Sequence, residues 1–100
     1  LHLISLNGQL EITSDDWIAS GTVDRAIFSM NKLFRIMCLN SQPSFMLVHN
    51  HPSGSLRPSA QDITTAQNVK KLAKIAGLDF LDNFIVANGK SLSFRERELM

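Results

Sequence analysis

Phe45-Met46-Leu47-Val48-His49-Asn50-His51-Pro52-Ser53-Gly54, continuing through Pro58-Ser59-Ala60-Gln61-Asp62, is the stretch that decides how this chain folds. Phe45 to Val48 are four consecutive apolar residues without alternation, the pattern of a central α/β strand buried on both faces. Pro52-Ser53-Gly54 ends that strand. Ser59 to Ala76 is the clearest helix: Ile63, Ala66, Val69, Leu72, Ala73 and Ala76 form an apolar stripe. Ser59 caps its start and Gly77 closes its end.

His49 and His51 stand two apart at the end of the strand. Side chains alternate across a strand, so both imidazoles project from one face. Two neutral imidazoles converging there are a ready pair of zinc ligands, and a carboxylate completes three. Asp62 falls in the first turn of the helix, three residues after the cap. A strand–loop–helix connection folds that turn back over the strand end, where open α/β sheets place their sites. Three protein ligands leave a fourth tetrahedral position for water, which is the arrangement of a catalytic zinc and not of a structural one. Each piece also has a plain reading. His-x-His arises by chance on surfaces, and Ser59-x-x-Asp62 is a helix-capping pattern. Of three histidines only His2 lies outside the pair, and this concentration of the scarce ligand type favours metal.

Working outward, Leu1 to Leu6 reads as a short strand bounded by Asn7-Gly8, a two-residue type I′ hairpin signal. A second strand runs through Leu10 and Ile12. Asp15-Asp16 mark a turn, and Trp17 to Phe28 reads as extended structure interrupted near Gly21. Met30, Leu33, Phe34, Met37 and Cys38 fall at helical spacing, predicting a helix over 30–39 with Ser29 as its N-cap. Cys38 on that apolar face predicts a buried thiol, and Trp17 reads as a packing residue. Lys70, Lys71 and Lys74 lie largely off the stripe of their helix; a solvated face is the plain reading, preferred to a phosphate-binding role. Phe80 to Ala87 is a strand, Asn88-Gly89 a second tight turn, Lys90 to Phe94 its partner, and Arg95 to Met100 a short helix. Strands and helices alternate, so the fold class is α/β, a mixed β-sheet flanked by two main helices.

The 100 residues, 44% hydrophobic and 19% charged, suffice for one domain with a modest core. A formal net charge of +1 gives no electrostatic signature of a dedicated nucleic-acid binder. One cysteine excludes an internal disulfide and fits a reducing, cytoplasmic setting. No apolar run approaches the ~20 residues that cross a bilayer, and no secretory pattern opens the chain. Because it begins at Leu1 and not at a methionine, a fragment of a longer protein is expected.

His-x-His-Pro, six intervening residues, then Ser-x-x-Asp, as they stand from His49 to Asp62, resemble the signature of the JAMM (MPN-plus) metalloproteases. The fuller string His-Asn-His-Pro-Ser-Gly, three residues, then Pro-Ser-x-x-Asp is similar to the bacterial RadC family in particular. Gly21-Thr22-Val23-Asp24, Leu81-Asp82 with Ile85-Val86, and Ser93-Phe94 with Glu96 extend the resemblance over nearly the whole chain. It implies a JAMM/MPN, cytidine-deaminase-like architecture. His49, His51 and Asp62 become zinc ligands, and Ser59 becomes the hydroxyl that helps hold the oxyanion of a tetrahedral intermediate. The implied reaction is hydrolysis of a peptide or isopeptide amide in a peptide or protein substrate.

The departures carry information too. The family also uses a first-strand glutamate that takes the proton from the zinc water and returns it to the leaving amine. Aligning on Leu6-Asn7 puts that residue just ahead of Leu1, so this chain is expected to bind zinc and to be nearly inert towards peptides. Glu11, the nearest acid within the chain, reads as a solvated strand residue. Ser29-Met30-Asn31-Lys32 stands where the family usually shows His-Pro-Arg-Glu, and Asn83 where it shows histidine. Asp82 reads equally as facing the site or as a capping acid. A second reading stays open: a DNA-repair-associated accessory domain with a structural or vestigial metal site, DNA being met through regions outside this chain. A zinc deaminase, similar in outline, lacks the Cys-x-x-Cys pair it needs. No membrane partner is expected, and the oligomeric state is left open.

Overall fold

Leu3, Phe45, Leu47 and Ile85 are fully buried while their strand neighbours are less so, and this period-two burial orients the sheet. The computed structural model describes residues 1–17, 26–40, 43–51 and 53–100, with backbone alone at 26–31 and 40. In chain order the elements are β1 (His2–Leu6), β2 (Ile12–Trp17), α1 (Ala26–Asn40), β3 (Ser44–Asn50), α2 (Ala60–Ala76), β4 (Asp79–Ala87) and β5 (Lys90–Ser93). The strands lie in the order β2-β1-β3-β4-β5. β3 and β4 are parallel and the other pairs antiparallel, so the sheet is mixed. A parallel pair needs a crossover, and α2 supplies it. The fold is the expected α/β arrangement of a mixed sheet with two helices.

Register sorts the faces. Leu3 lies opposite Leu47 and Ser5 opposite Phe45, with Phe80 beside Phe45 and Ile85 beside His49. That face forms one core with Leu33 and Met37 of α1, Ala66, Val69 and Ala73 of α2, and Phe94. The rings of Phe45 and Phe80 stack with centroids 5.0 Å apart. Ile4, Met46, Val48, Phe84 and Val86, on the other face, are only half-buried. β3 is therefore fully covered on one side, not on both as its unbroken apolar run predicts. In α2, Leu72 and Ala76 of the expected stripe are exposed, because the buried row Ala66, Val69, Ala73 is narrower.

Several local expectations are corrected. The first hairpin closes over Asn7 to Glu11 and not as a two-residue turn: the left-handed residue is Leu10 (φ 61°). Asn7 contributes its side chain, whose Oδ1 accepts from the backbone N–H of Gln9 and Glu11. Asp15 and Asp16 form no turn; they pair with Ile4 and Leu3 inside β2. The expected extended stretch from Trp17 to Phe28 falls partly in α1, which already runs at Ala26; residues 18–25 lie outside the described residues. Ser29 is thus inside the helix and not its cap. Leu33 and Met37 are its buried row, and Cys38, one residue on and rotated by about 100°, is exposed. Trp17 is 63% exposed and lies outside the core formed by the described residues. The tail from Phe94 to Glu98 folds as successive turns with Glu98 left-handed (φ 57°), which a helix cannot accommodate. Asn88 (φ 50°) and Gly89 (φ 72°) do form the expected tight turn, with both residues at the positive φ of a type I′ turn.

Phe45→Ala removes a fully buried stacked ring and should cost about 3–5 kcal/mol in denaturant unfolding. Trp17→Ala should shift stability by less than about 1 kcal/mol in the same experiment.

Candidate metal centre

His49 is the penultimate residue of β3, and His51 follows the strand's last residue. The backbone N–H of His51 donates to Val86 O at 3.1 Å, so the ladder to β4 continues one step and fixes where the loop departs. Gly54 N–H closes that loop back onto His51 O, also at 3.1 Å. Gly54 has φ +82°, which favours glycine, and a Cβ there would lie 2.7 Å from Asn88 Nδ2, so a larger residue would have to push the Asn88 side chain off the β4–β5 turn.

Asp62 reaches the same point from α2. Ser59, the N-cap, accepts at Oγ from Asp62 N–H (3.0 Å), and Asp62 Oδ2 accepts from Ser59 N–H (2.8 Å). This capping box fixes the carboxylate at the first turn, where the positive helix end favours it. Asp62 is 4% exposed, and its Oδ1 has no hydrogen-bond partner.

Ligand-type atoms of His49, His51 and Asp62 lie within 4.8 Å of one another. Asp62 Oδ2 is 3.2 Å from His51 Nε2, and Oδ1 is 3.6 Å from His49 Nδ1. The two rings meet edge to face with centroids 4.9 Å apart. His51 Nδ1 lies 2.9 Å from Ser55 O. A carbonyl only accepts, so Nδ1 carries the proton, and in the neutral ring the Nε2 lone pair points at a carboxylate oxygen. Acceptor facing acceptor is repulsive until a proton on Nε2 or a metal ion stands between them. The donor set, the orphaned Oδ1 and the tautomer all suit a metal ion.

Other sequence candidates fall elsewhere. Ser59 adjoins the trio through its cap, is exposed, and keeps its own hydroxyl proton to donate. Glu11 precedes the Leu6–Ile12 end of the sheet, and His49 lies past the His2–Val48 pair at the opposite end. It is exposed and accepts from Asn7 Nδ2, as a solvated residue does. Asp82 is a capping acid: it accepts from Asn83 N–H, Ser93 Oγ and Arg95 N–H and so anchors the tail. Asn83 is buried with Oδ1 unpartnered, and its register partner is Leu47. Sequence reasoning missed the Ser55 carbonyl, because a backbone acceptor leaves no residue-type signal. It also missed the contact between Gly54 and Asn88, for which the Pro52-Ser53-Gly54 turn was the available cue.

These elements define a class of domain: an α/β sheet whose central strand end presents two histidines to a carboxylate on the following helix. Residues 1–99 match the RadC-like JAB domain family. The chain is 35% identical over 94 residues to a UPF0758 protein of Staphylococcus epidermidis, covering 94% of this chain and 42% of that protein. A UPF0758 protein of Streptococcus suis is 38% identical over 97 residues, covering 95% and 39%. One of Finegoldia magna is 35% identical over 95 residues, covering 95% and 43%. This chain belongs to the RadC family, and it spans about two-fifths of the length of these curated relatives. Among the described residues no helix is long and apolar enough to cross a membrane.

Burial holds the His49 pKa below the ordinary histidine value; Asp62 pushes it up, while His51 pushes it down. The unfolded chain then binds a proton that the folded chain refuses, in the window below about 6.5. Stability of the metal-free chain should therefore rise with pH through that window and fall on acidification. Denaturant midpoints measured across pH 5 to 8 test this, with His49→Gln expected to flatten the slope.

Proposed function

We propose that this domain is the catalytic domain of a zinc-dependent hydrolase acting on a peptide or isopeptide amide, with His49, His51 and Asp62 as the zinc ligands. The observation that carries the reading is the buried, unpartnered Asp62 Oδ1 beside two imidazoles, one of them fixed in the tautomer that offers Nε2. Zinc held there supplies Lewis acidity, polarising a scissile carbonyl and acidifying water.

The chain's own groups do the rest. Asp62 brings the one negative charge of the ligand set, and the capping box holds it so that it need not reorganise when the ion enters. Ser55 O orients His51 by accepting its Nδ1 proton. Ser59 donates its hydroxyl proton to the oxyanion that develops as the carbonyl becomes tetrahedral. Such a step also needs a group that takes the proton from the attacking water. Glu11 does not serve, being at the other end of the sheet. The lone exposed Cys38 suits a reducing cytoplasm. The DNA-repair accessory reading has less support, since a net charge of +1 is little for a backbone-binding surface.

Zinc titration followed by mass spectrometry under non-denaturing conditions should give one ion per chain. His49→Ala and Asp62→Ala should abolish it; full occupancy in Asp62→Ala would overturn the ligand assignment. In the full-length protein Ser59→Ala should keep its zinc and lose amide hydrolysis by about 10²–10³-fold. Loss of zinc in that variant would make Ser59 a cap alone.

A further inference from the structure

At the far end of α2 from the metal centre, a cavity of about 590 Å³ opens between the helix and the C-terminal tail. Asp62 is eight and twelve helical positions from Lys70 and Lys74, about 12 and 18 Å of rise. Lys70 and Lys74 line the cavity from α2 and Arg95 from the tail, with Asp79 as the single acid and Leu78 and Leu81 among its apolar lining. Lys70 and Lys74 are one turn apart, so two like charges share a face with no intervening anion. Among the described residues none of the three cations forms an ion pair, and neither does Asp79. The lining is left with a surplus of two positive charges.

Arg95 is placed and not merely present. Its backbone N–H donates to Asp82 Oδ1 at 3.0 Å, and Nη1 lies 3.5 Å from Leu81 O. Phe94, the residue before it, is fully buried in the core. The negative end of α2 is blunted, because Gly77 N–H and Leu78 N–H already satisfy the last-turn carbonyls of Lys74 and Ala73. Lys70, Lys74 and Arg95 are all exposed, and all three line one concave, partly apolar space. The volume lies within the range of small-molecule sites and exceeds what a bare ion needs.

We propose that this cavity is an anion subsite that takes a small organic phosphate carrying at least two negative charges, the phosphates on Lys70, Lys74 and Arg95 and the apolar body against Leu78 and Leu81. Guanidinium and ammonium groups together suit phosphate oxygens, one by a planar fork and the others as point charges. The subsite is independent of the metal centre and of the hydrolytic reading.

Titration of the ¹⁵N-labelled chain with adenosine diphosphate, pyrophosphate and citrate, followed by amide chemical shifts, tests it. Saturable shifts from Gly77 to Leu81 and at Arg95 are expected, with adenosine diphosphate binding tighter than pyrophosphate because only it has the apolar body. Lys70→Gln and Lys74→Gln, both on exposed helix positions that preserve the fold, should each weaken binding about tenfold. Lys71→Gln, which does not line the cavity, should leave it unchanged. Absence of saturation, equal weakening by Lys71→Gln, shifts confined to His49–His51, or citrate binding as tightly as adenosine diphosphate would each overturn the proposal.

Discussion

The reciprocal pair of hydrogen bonds between Ser59 and Asp62 is the constraint on which the rest of the centre depends. An aspartate at the third position of a helix ordinarily turns outward into water. Here one carboxylate oxygen is committed to the cap, which leaves the other with a fixed direction and no partner. A buried carboxylate without compensation costs several kcal/mol, and the helix end returns only about 1 kcal/mol of that. The two imidazoles complete the compensation either by carrying a proton or by sharing a metal ion with the carboxylate. The same two residues therefore start the helix, aim the carboxylate and create the vacancy in hydrogen bonding that a metal would fill.

The sheet delivers the histidines to that point. β3 is central, antiparallel to β1 on one side and parallel to β4 on the other. Pairing on both edges leaves its register no freedom to slip, and a slip of one residue would send His49 to the opposite face. The His51 N–H bond to Val86 extends this control one residue beyond the strand. Beyond it the loop is held by backbone acceptors and by the close seat of Gly54 on Asn88, so the second imidazole is nearly as constrained as the first.

What was legible in the sequence follows from how each signal is encoded. Ser59, Gly77, Asn88 and Gly89 announced themselves because caps and left-handed turns demand particular residue types, and all four stand where expected. His49, His51 and Asp62 were legible for the same reason: metal chemistry accepts few side chains, and their spacing matched a known string. Asp15-Asp16 misled because turn composition is only a correlation; their place in β2 is decided by pairing with Ile4 and Leu3, a contact across the hairpin. Cys38 and Trp17 misled because apolar character was equated with burial. Which of several apolar residues is covered depends on where the neighbouring elements lie, and α1 turns Leu33 and Met37 inward instead. The Ser55 carbonyl had no signal to read.

α2 links these observations electrostatically. Its first turn holds its one acid, Asp62, in the field of the free N–H groups, and its last turn carries Lys74 beside the carbonyl end. Each charge is the sign the helix dipole favours. The acid end is buried and already close to two imidazoles, so an ion entering there gains from low dielectric and loses little to reorganisation. The basic end is exposed, and its field is screened within about a Debye length, so it discriminates only where Arg95 converges with Lys70 and Lys74 on one concave space. On the two proposals made above, one helix presents opposite charge preferences at its two ends, a cation site made selective by burial and an anion site made selective by convergence.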